Sequence, residues 1–132
     1  FYALMPTDNA IAIAPNEPID FPTTATKTND ITVTSPSVFT VTTAGNYLVM
    51  FQASTTEGGQ LQLTVNNTPI AYTTVGKAGE NTQIVGFAIL PLAANDAISV
   101  INPQASTTGI TLTQNAGGAS AVAAQLVIAK LA

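Results

Sequence analysis

The stretch FTVTTAGNYLVMF, residues 39–51, predicts two β-strands joined by a tight turn at Ala44, Gly45 and Asn46. Before the turn, apolar residues alternate with threonine, as in a strand with one buried face. After the turn, residues 47–51 are apolar at every position, so both faces of the second strand are expected to be covered. The turn at Gly45 is expected to reject a β-branched residue if its backbone is left-handed. We expect the other strands to be added around this pair.

Most of the remaining chain is typical of short strands separated by turns. Alternation or apolar runs predict strands at residues 1–5, 31–34, 60–65, 82–92, 98–101, 110–112 and 121–131. The last of these is alanine-rich and has helical propensity. Its apolar residues nevertheless suit both faces of a buried strand, and we predict a strand.

The turn-forming residues complete this picture. Residues 23–30 are interpreted as a polar loop, and Asn66-Asn67 as a hairpin turn that returns through residues 70–75. About ten strands with no predicted helix indicate one all-β domain over residues 1–132, built as a two-sheet antiparallel sandwich.

The composition excludes several partners. The chain has three lysines, seven carboxylates, no arginine and no histidine, which gives a formal net charge of -4. So few cations cannot neutralise phosphates, so we predict no binding to nucleic acid. No apolar run reaches the roughly 20 residues of a membrane helix, and we predict no membrane insertion. Without cysteine, neither a disulfide nor a thiolate metal site can form.

No catalytic constellation is evident. A serine or threonine nucleophile needs a nearby base, and without histidine only the lysines and carboxylates remain. Lys77 lies in a glycine-flanked turn, typical of a solvated charge, and the carboxylates fall at or near predicted loops. We predict no enzyme activity and no cofactor.

Metal and sugar attachment signals are also weak. Calcium requires several oxygen ligands. Asn29-Asp30 and Glu80-Asn81 each offer only a weak start for such a site, so we predict no metal site. The triplet Asn66-Asn67-Thr68 matches an N-glycosylation sequon, which we interpret as a turn.

One pattern resembles a known family. Its core signature is Phe39, Gly45, Tyr47, Val49 and Phe51. This spacing is similar to that of the globular heads of the first complement component, which share the tumour-necrosis-factor-like jelly roll. Those heads usually have Phe where this chain has Val49. The resemblance implies a TNF-like jelly-roll sandwich, with the aromatic residues of the signature pointing into it.

Within that superfamily, the richness in Thr, Asn and Ala and the ending LVIAKLA, residues 126–132, look most like the C-terminal domain of BclA-type collagen-like glycoproteins. These belong to the exosporium, the outer surface of bacterial spores. The resemblance implies a trimeric head that registers a collagen-like triple helix and faces outward from the spore. A Gly-X-Y stalk is then expected upstream of Phe1.

Strands that do not alternate support a trimer. The resemblance implies an inner sheet against a threefold axis, and we expect about 2,000 Å² or more to be buried per pair of subunits. The residues expected in this interface are Tyr2, Leu48, Met50, Leu126 and Ile128. The alternative is that both faces are covered within one subunit. Residues 82–92, which the resemblance places in the outer sheet, keep a second apolar face that this hypothesis does not explain.

Two other functions fit the same fold. The domain could be an adhesion module that binds a host surface protein or a glycan through polar loops at residues 23–30, 55–59 and 104–108. It could also be a jelly roll of a phage or viral fibre or capsid, since such heads trimerise and are rich in Thr and Asn.

Overall fold

The computed structural model describes residues 1–8 and 11–132, and in this part of the chain it has eleven strands and one turn of 3-10 helix (Ala71–Thr73). The strands are β1 (Tyr2–Met5), β2 (Thr23–Thr26), β3 (Ile31–Ser35), β4 (Val38–Val41), β5 (Gly45–Thr55), β6 (Gly59–Val65), β7 (Thr68–Pro69), β8 (Val75–Lys77), β9 (Thr82–Leu92), β10 (Ala97–Ile101) and β11 (Ala124–Lys130).

Two antiparallel sheets pack face to face. The five-stranded sheet has the order β2-β1-β11-β5-β9. The six-stranded sheet has the order β3-β4-β10-β6-β7, with β8 paired to β6. This architecture confirms the predicted all-β jelly-roll sandwich, and the alanine-rich last segment is a strand, as predicted.

The core lies between the sheets and is organised by aromatic residues. Phe39 of β4 is fully buried, and its ring centroid lies 5.4 Å from that of Phe1 and 6.1 Å from that of Phe21. Tyr47 of β5 is also fully buried, and its hydroxyl donates a hydrogen bond of 2.7 Å to the carbonyl oxygen of Thr43. The polar end of this large side chain is therefore satisfied, as a buried hydroxyl requires.

The two strands predicted within residues 39–51 exist, but they do not form a hairpin. β4 pairs with β3 and β10 in the six-stranded sheet, whereas β5 pairs with β9 and β11 in the five-stranded sheet. Residues 42–44 therefore cross between the sheets, and the Thr42 N–H is held by the carbonyl oxygen of Asp30 at 2.8 Å. The prediction of a tight turn was wrong because alternation tells which face is buried and not which strand is the neighbour.

Gly45 is required by close packing, since its φ is not positive. Among the described residues, the glycines with positive φ are Gly79 and Gly117. A Cβ atom on Gly45 would lie against the backbone carbonyl of Ala132 and 2.9 Å from Cε of Lys130. The end of the chain thus covers the start of β5.

Two further predictions about single segments were wrong, and a third was correct in part. The first half of residues 23–30 is not a loop but β2, which pairs with β1. Residues 110–112 do not form a strand and contribute only isolated bridges. The Asn66-Asn67 hairpin is confirmed, with both φ angles positive, but its return strand β7 stops after two residues at the 3-10 turn.

Both ends of the chain lie at one end of the sandwich, which we call the terminal end. The amino group of Phe1 donates to the carbonyl oxygen of Ile128 at 3.0 Å. The Asn46 N–H, at the start of β5, donates to the carbonyl oxygen of Ala132 at 2.8 Å. The connections that follow β5 and β10 lie at the opposite end, called the far end, because both strands begin near the terminal end and run away from it.

One buried side chain organises the far end. Asn102 is fully buried, and its Nδ2 donates to the carbonyl oxygens of Ile13 at 3.0 Å and Thr108 at 3.1 Å. Its backbone N–H donates to the carbonyl oxygen of Glu17 at 3.0 Å. Asn102 therefore ties two long connections to the end of β10.

The close packing around Gly45 gives a stability prediction. Gly45→Ala should push the C-terminal residues away from β5 and weaken the two hydrogen bonds between Asn46 and residues 131–132. We expect a loss of about 1–3 kcal/mol in the free energy of unfolding, measured in urea. Gly118→Ala is the matched control, since nothing lies near its Cβ position, and it should be neutral. A Gly45→Asn variant more stable than Gly45→Ala would contradict this explanation, because asparagine is better tolerated only where the backbone is left-handed.

Candidate functional site

The two sheets present very different outer faces, meaning the faces turned away from the core. The outer face of the six-stranded sheet carries mainly hydroxyl and amide side chains. They are Thr32, Thr40, Gln60, Gln62, Thr64 and Ser99, which alternate with buried apolar residues. Gln62, Thr64 and Ser99 among them are buried, whereas Thr32 and Gln60 are exposed. This face is therefore polar and open to water in part.

The outer face of the five-stranded sheet is instead apolar. We call its central part the apolar face; it consists of Tyr2, Leu48, Met50, Val85, Phe87, Ile89 and Val127. No member of this set is charged. An uncharged, apolar surface patch is typical of the centre of a protein interface.

Strand register brings these side chains together in rows. Tyr2 of β1 lies opposite Val127 of β11, which lies opposite Met50 of β5, which lies opposite Phe87 of β9. In the next row toward the terminal end, Leu48 lies opposite Ile89. Side chains opposite one another in neighbouring strands are in contact range, so the face is continuous across four strands.

The apolar face is most exposed at the edge of the sheet. Phe87, Ile89 and Val85 of the edge strand β9 keep 70%, 61% and 52% of their surface exposed, and Met50 of β5 keeps 40%. Covering a fully exposed apolar side chain is worth ~1.5–3 kcal/mol, and these side chains would gain a part of that each. Covering this face with a second surface would therefore be favourable.

The predicted interface residues are divided between the two sides of the sheet. Tyr2, Leu48 and Met50 lie on the apolar face. Leu126 and Ile128 do not, since both are 1% exposed and lie inside the sandwich opposite Phe51 and Val49. Their assignment to the interface was wrong by one residue of register, because β11 is apolar on both faces and its sequence does not show which face is outward.

Sequence reasoning also missed the most exposed members of the face. Val85, Phe87 and Ile89 belong to the strand at residues 82–92, which was expected in the other sheet. The structure pairs this strand with β5 along its whole length, so its unexplained apolar side is the edge of the apolar face. The alternation of Ile84 and Leu90 with these residues did indicate a strand with two apolar faces. It did not indicate to which sheet the strand belongs.

The remaining core signature residues lie where the resemblance implies. Phe39, Tyr47, Val49 and Phe51 are all buried, with at most 2% of their surface exposed. They support the sheet from its inner side, so that β5 presents Leu48 and Met50 outward.

One carboxylate has a distinct local environment. The carboxylate of Glu57, in the connection between β5 and β6, accepts hydrogen bonds from the Thr111 N–H at 2.7 Å and the Thr111 hydroxyl at 2.8 Å. Burial raises the pKa of Glu57, but these bonds and one from Thr56 outweigh it and lower the pKa below its ordinary value. The ionised carboxylate holds two far-end segments together.

The structure offers no support for a metal site at the positions considered. Among the described residues, no group of three or more His, Cys, Asp or Glu side chains could hold a metal ion. Asp30 accepts a hydrogen bond from the Thr43 hydroxyl at 3.3 Å, and Lys77 is exposed on β8. The absence of a metal, a cofactor and an activity stays a prediction.

The sequon at Asn66 is occupied by structural hydrogen bonds. Asn66 Nδ2 donates to Oδ1 of Asp96 at 2.8 Å, and its Oδ1 accepts from the Ala97 N–H at 2.9 Å. Sugar attachment at Nδ2 would disturb this turn, which agrees with its interpretation as a hairpin.

The loops considered for adhesion do not form one surface. Residues 55–59 and 104–108 lie at the far end, because they follow β5 and β10. Residues 27–30 lie at the terminal end, where Asp30 meets Thr42. The candidate adhesion loops are therefore divided between the two ends of the sandwich.

The comparisons with known proteins agree with this geometry. The family model described as the BclA C-terminal domain matches residues 1–132. In a comparison with curated proteins, no sequence matched. Within the described residues there is no helix with the length and apolarity to cross a membrane.

Similar folds are found among solved structures. The globular domain of zebrafish complement 1qA protein is similar with a TM-score of 0.73 and 15% identity, over 100% of this chain and 96% of that one. Rabbit GITRL has a TM-score of 0.53 and 18% identity, over 77% of each chain. Pika GITRL has a TM-score of 0.55 and 14% identity, over 83% of this chain and 89% of that one. These likenesses show the fold.

The Glu57 contact predicts how stability depends on pH. Since the folded-state pKa of Glu57 is lowered, its stabilising effect is fully present above the unfolded value of about 4.3 and is lost as the pH falls through the folded pKa. The Glu57→Gln variant should therefore lose less stability than the wild type between pH 5 and pH 3, measured by urea unfolding. Glu80→Gln, at an exposed position, is the control and should follow the wild type. Equal pH dependence of Glu57→Gln and the wild type would contradict the assignment.

Proposed function

Because this chain belongs to the BclA C-terminal domain family, we propose that it is the self-associating head of a collagen-like surface protein, and that it forms a homotrimer through the apolar face. The observation that carries the proposal is the contrast between the two outer faces. One is polar, and the other exposes Phe87, Ile89, Val85 and Met50 without a single charge among them.

A second copy of the chain is the occupant that best fits this face. Obligate contacts between identical subunits are more apolar than other surfaces and poor in charge. The chain also has few charged side chains, 8% of its residues, with which to keep an uncovered apolar face in solution. Covering the face by self-association removes both problems.

The position of the exposed residues favours a ring. In a closed ring of three, each copy uses two different surfaces, since a threefold axis cannot pair a patch with itself. Phe87 and Ile89 lie on β9, at the edge of the sheet, whereas Tyr2 and Val127 lie nearer its middle. An edge of one copy that packs on the middle of the next would cover both parts of the face.

The chain ends support a head at the tip of a stalk. Phe1 lies on the five-stranded sheet at the terminal end, paired with Ile128 of β11. If this sheet faces the threefold axis, the three copies of Phe1 are brought near one another, as is needed to start a triple helix in register. We propose that the head registers such a stalk and that it belongs to the outer surface of the spore, the exosporium.

Adhesion is a second function compatible with the same assembly. The connections at residues 55–59 and 104–108 lie at the far end, opposite Phe1. In a stalked head this end faces outward, so it would meet a host protein or a glycan first. The match to the BclA family favours a spore surface over a phage or viral fibre.

The proposal is tested by a charge on the apolar face. Phe87→Glu should yield folded monomers at micromolar concentration in analytical ultracentrifugation, where the wild type should be a trimer. Losing the burial of one Phe, ~1.5–3 kcal/mol per contact, weakens association by roughly 10- to 100-fold, and the buried charge adds to this.

The matched control for this test is Thr32→Glu. It adds the same charge to an exposed position on the outer face of the six-stranded sheet, and the protein should remain trimeric. A wild-type protein that is monomeric at micromolar concentration, or a Phe87→Glu variant that assembles as the wild type does, would rule the proposal out. Far-ultraviolet circular dichroism checks that each variant is folded.

A further inference from the structure

A band of amide side chains borders the apolar face on the side of the far end. Gln125 of β11 lies opposite Gln52 of β5, in the row next to that of Met50. In the following row Ser54 lies opposite Gln83 of β9. We call Gln52, Gln83 and Gln125 the amide band. The row of Gln125 and Gln52 also contains Leu4 and Val85 at its two sides, so it is mixed, and the outer face becomes polar in the row of Ser54 and Gln83.

Each amide of the band uses only one of its ends within the chain. Gln125 Nε2 contacts the Tyr2 hydroxyl at 2.8 Å. Gln52 and Gln83 Nε2 both contact the Ser54 hydroxyl, at 3.1 and 3.4 Å. Among the hydrogen bonds between described residues, none reaches Oε1 of the three glutamines. Three strong acceptors are therefore left open, directly beside a surface that is suited to be covered.

A depression marks the border between the two zones. It has a volume of about 130 Å³, and its lining includes Met50 and Val85 from the apolar face and Gln52 and Gln125 from the amide band. A side chain of a neighbouring copy that enters this depression would touch apolar atoms and come within reach of both amides. The border is therefore a concave site that a side chain could enter, and it is lined by both apolar and polar atoms.

We propose that the amide band sets the register of the self-assembled head, by hydrogen bonds from its open ends to a neighbouring copy; this inference rests on the proposed self-association. Apolar burial is not directional, so an apolar face alone permits copies to slide or rotate against one another. A covered amide without a partner costs free energy, so an arrangement that leaves the band unpaired is disfavoured. The band selects one closed arrangement among several that would bury similar apolar area.

This role differs from a contribution to affinity. Buried polar groups often add little net stability compared with apolar groups of similar size, and their best-attested use is to fix register and the number of subunits. Replacing the amides by leucine should therefore leave the copies associated but allow them to adopt more than one arrangement.

The test uses the double variant Gln52→Leu with Gln125→Leu and the single variant Gln125→Met, which changes less of the surface. The matched control is Gln60→Leu with Gln104→Leu, two exposed glutamines outside the five-stranded sheet. Native mass spectrometry gives the number of copies, and the amide spectrum in nuclear magnetic resonance counts the arrangements.

The wild type and the control should each show one assembled species and one signal per amide. The double variant should assemble with an affinity within about tenfold of the wild type but show several species or several signals per residue, and Gln125→Met should show the same to a lesser degree. One species with single signals in the double variant would overturn the proposal. So would folded monomers in either variant, because the band would then supply affinity. A monomeric wild type would instead refute the self-association itself.

Discussion

The pairing of β5 with β9 and β11 is the interaction on which the rest of the structure depends. β5 is hydrogen-bonded on both sides, to β9 from residue 45 to residue 55 and to β11 from residue 47 to residue 53. Its inward side chains, Tyr47 and Phe51 among them, complete the core, so every second residue must point outward. Because Leu48 and Met50 occupy those outward positions beside Phe87 and Ile89, the strand that builds the core also builds an apolar outer face.

This constraint connects fold and function. A sheet that is apolar on both sides has to be covered on both sides, and the six-stranded sheet covers only the inner one. The outer face of the six-stranded sheet instead carries threonine and glutamine, of which Thr32 and Gln60 are exposed. In the proposed assembly, the apolar face supplies area for affinity and its amide border supplies register.

Much of the fold could be predicted because alternation and turn residues are local signals. The strands at β3, β6 and β9 and the turn at Asn66-Asn67 were all visible in the sequence. Strand partners were not visible, because period-two patterns do not encode the neighbouring strand. The sequence therefore predicted a tight turn at residues 44–46 where the chain crosses between the sheets. The same limit explains the interface predictions. The outward positions of Leu48 and Met50 could be predicted from the inward aromatic residues beside them. β11 is apolar on both faces, so its sequence did not show which residues point outward, and the wrong set was chosen. The far end, tied by Asn102, depends on contacts between distant segments and left no local pattern.

The central claim is that the apolar face is covered by other copies of the chain, and hydroxyl-radical labelling of the wild-type protein tests it most directly. Phe87 is 70% exposed in a single copy and Ile11, at the far end, is 77% exposed. The account predicts that, at micromolar concentration, Phe87 is strongly protected relative to the unfolded chain, while Ile11 is labelled at close to its unfolded rate. Labelling of Phe87 and Ile11 to similar extents, each near its rate in the unfolded chain, would contradict it.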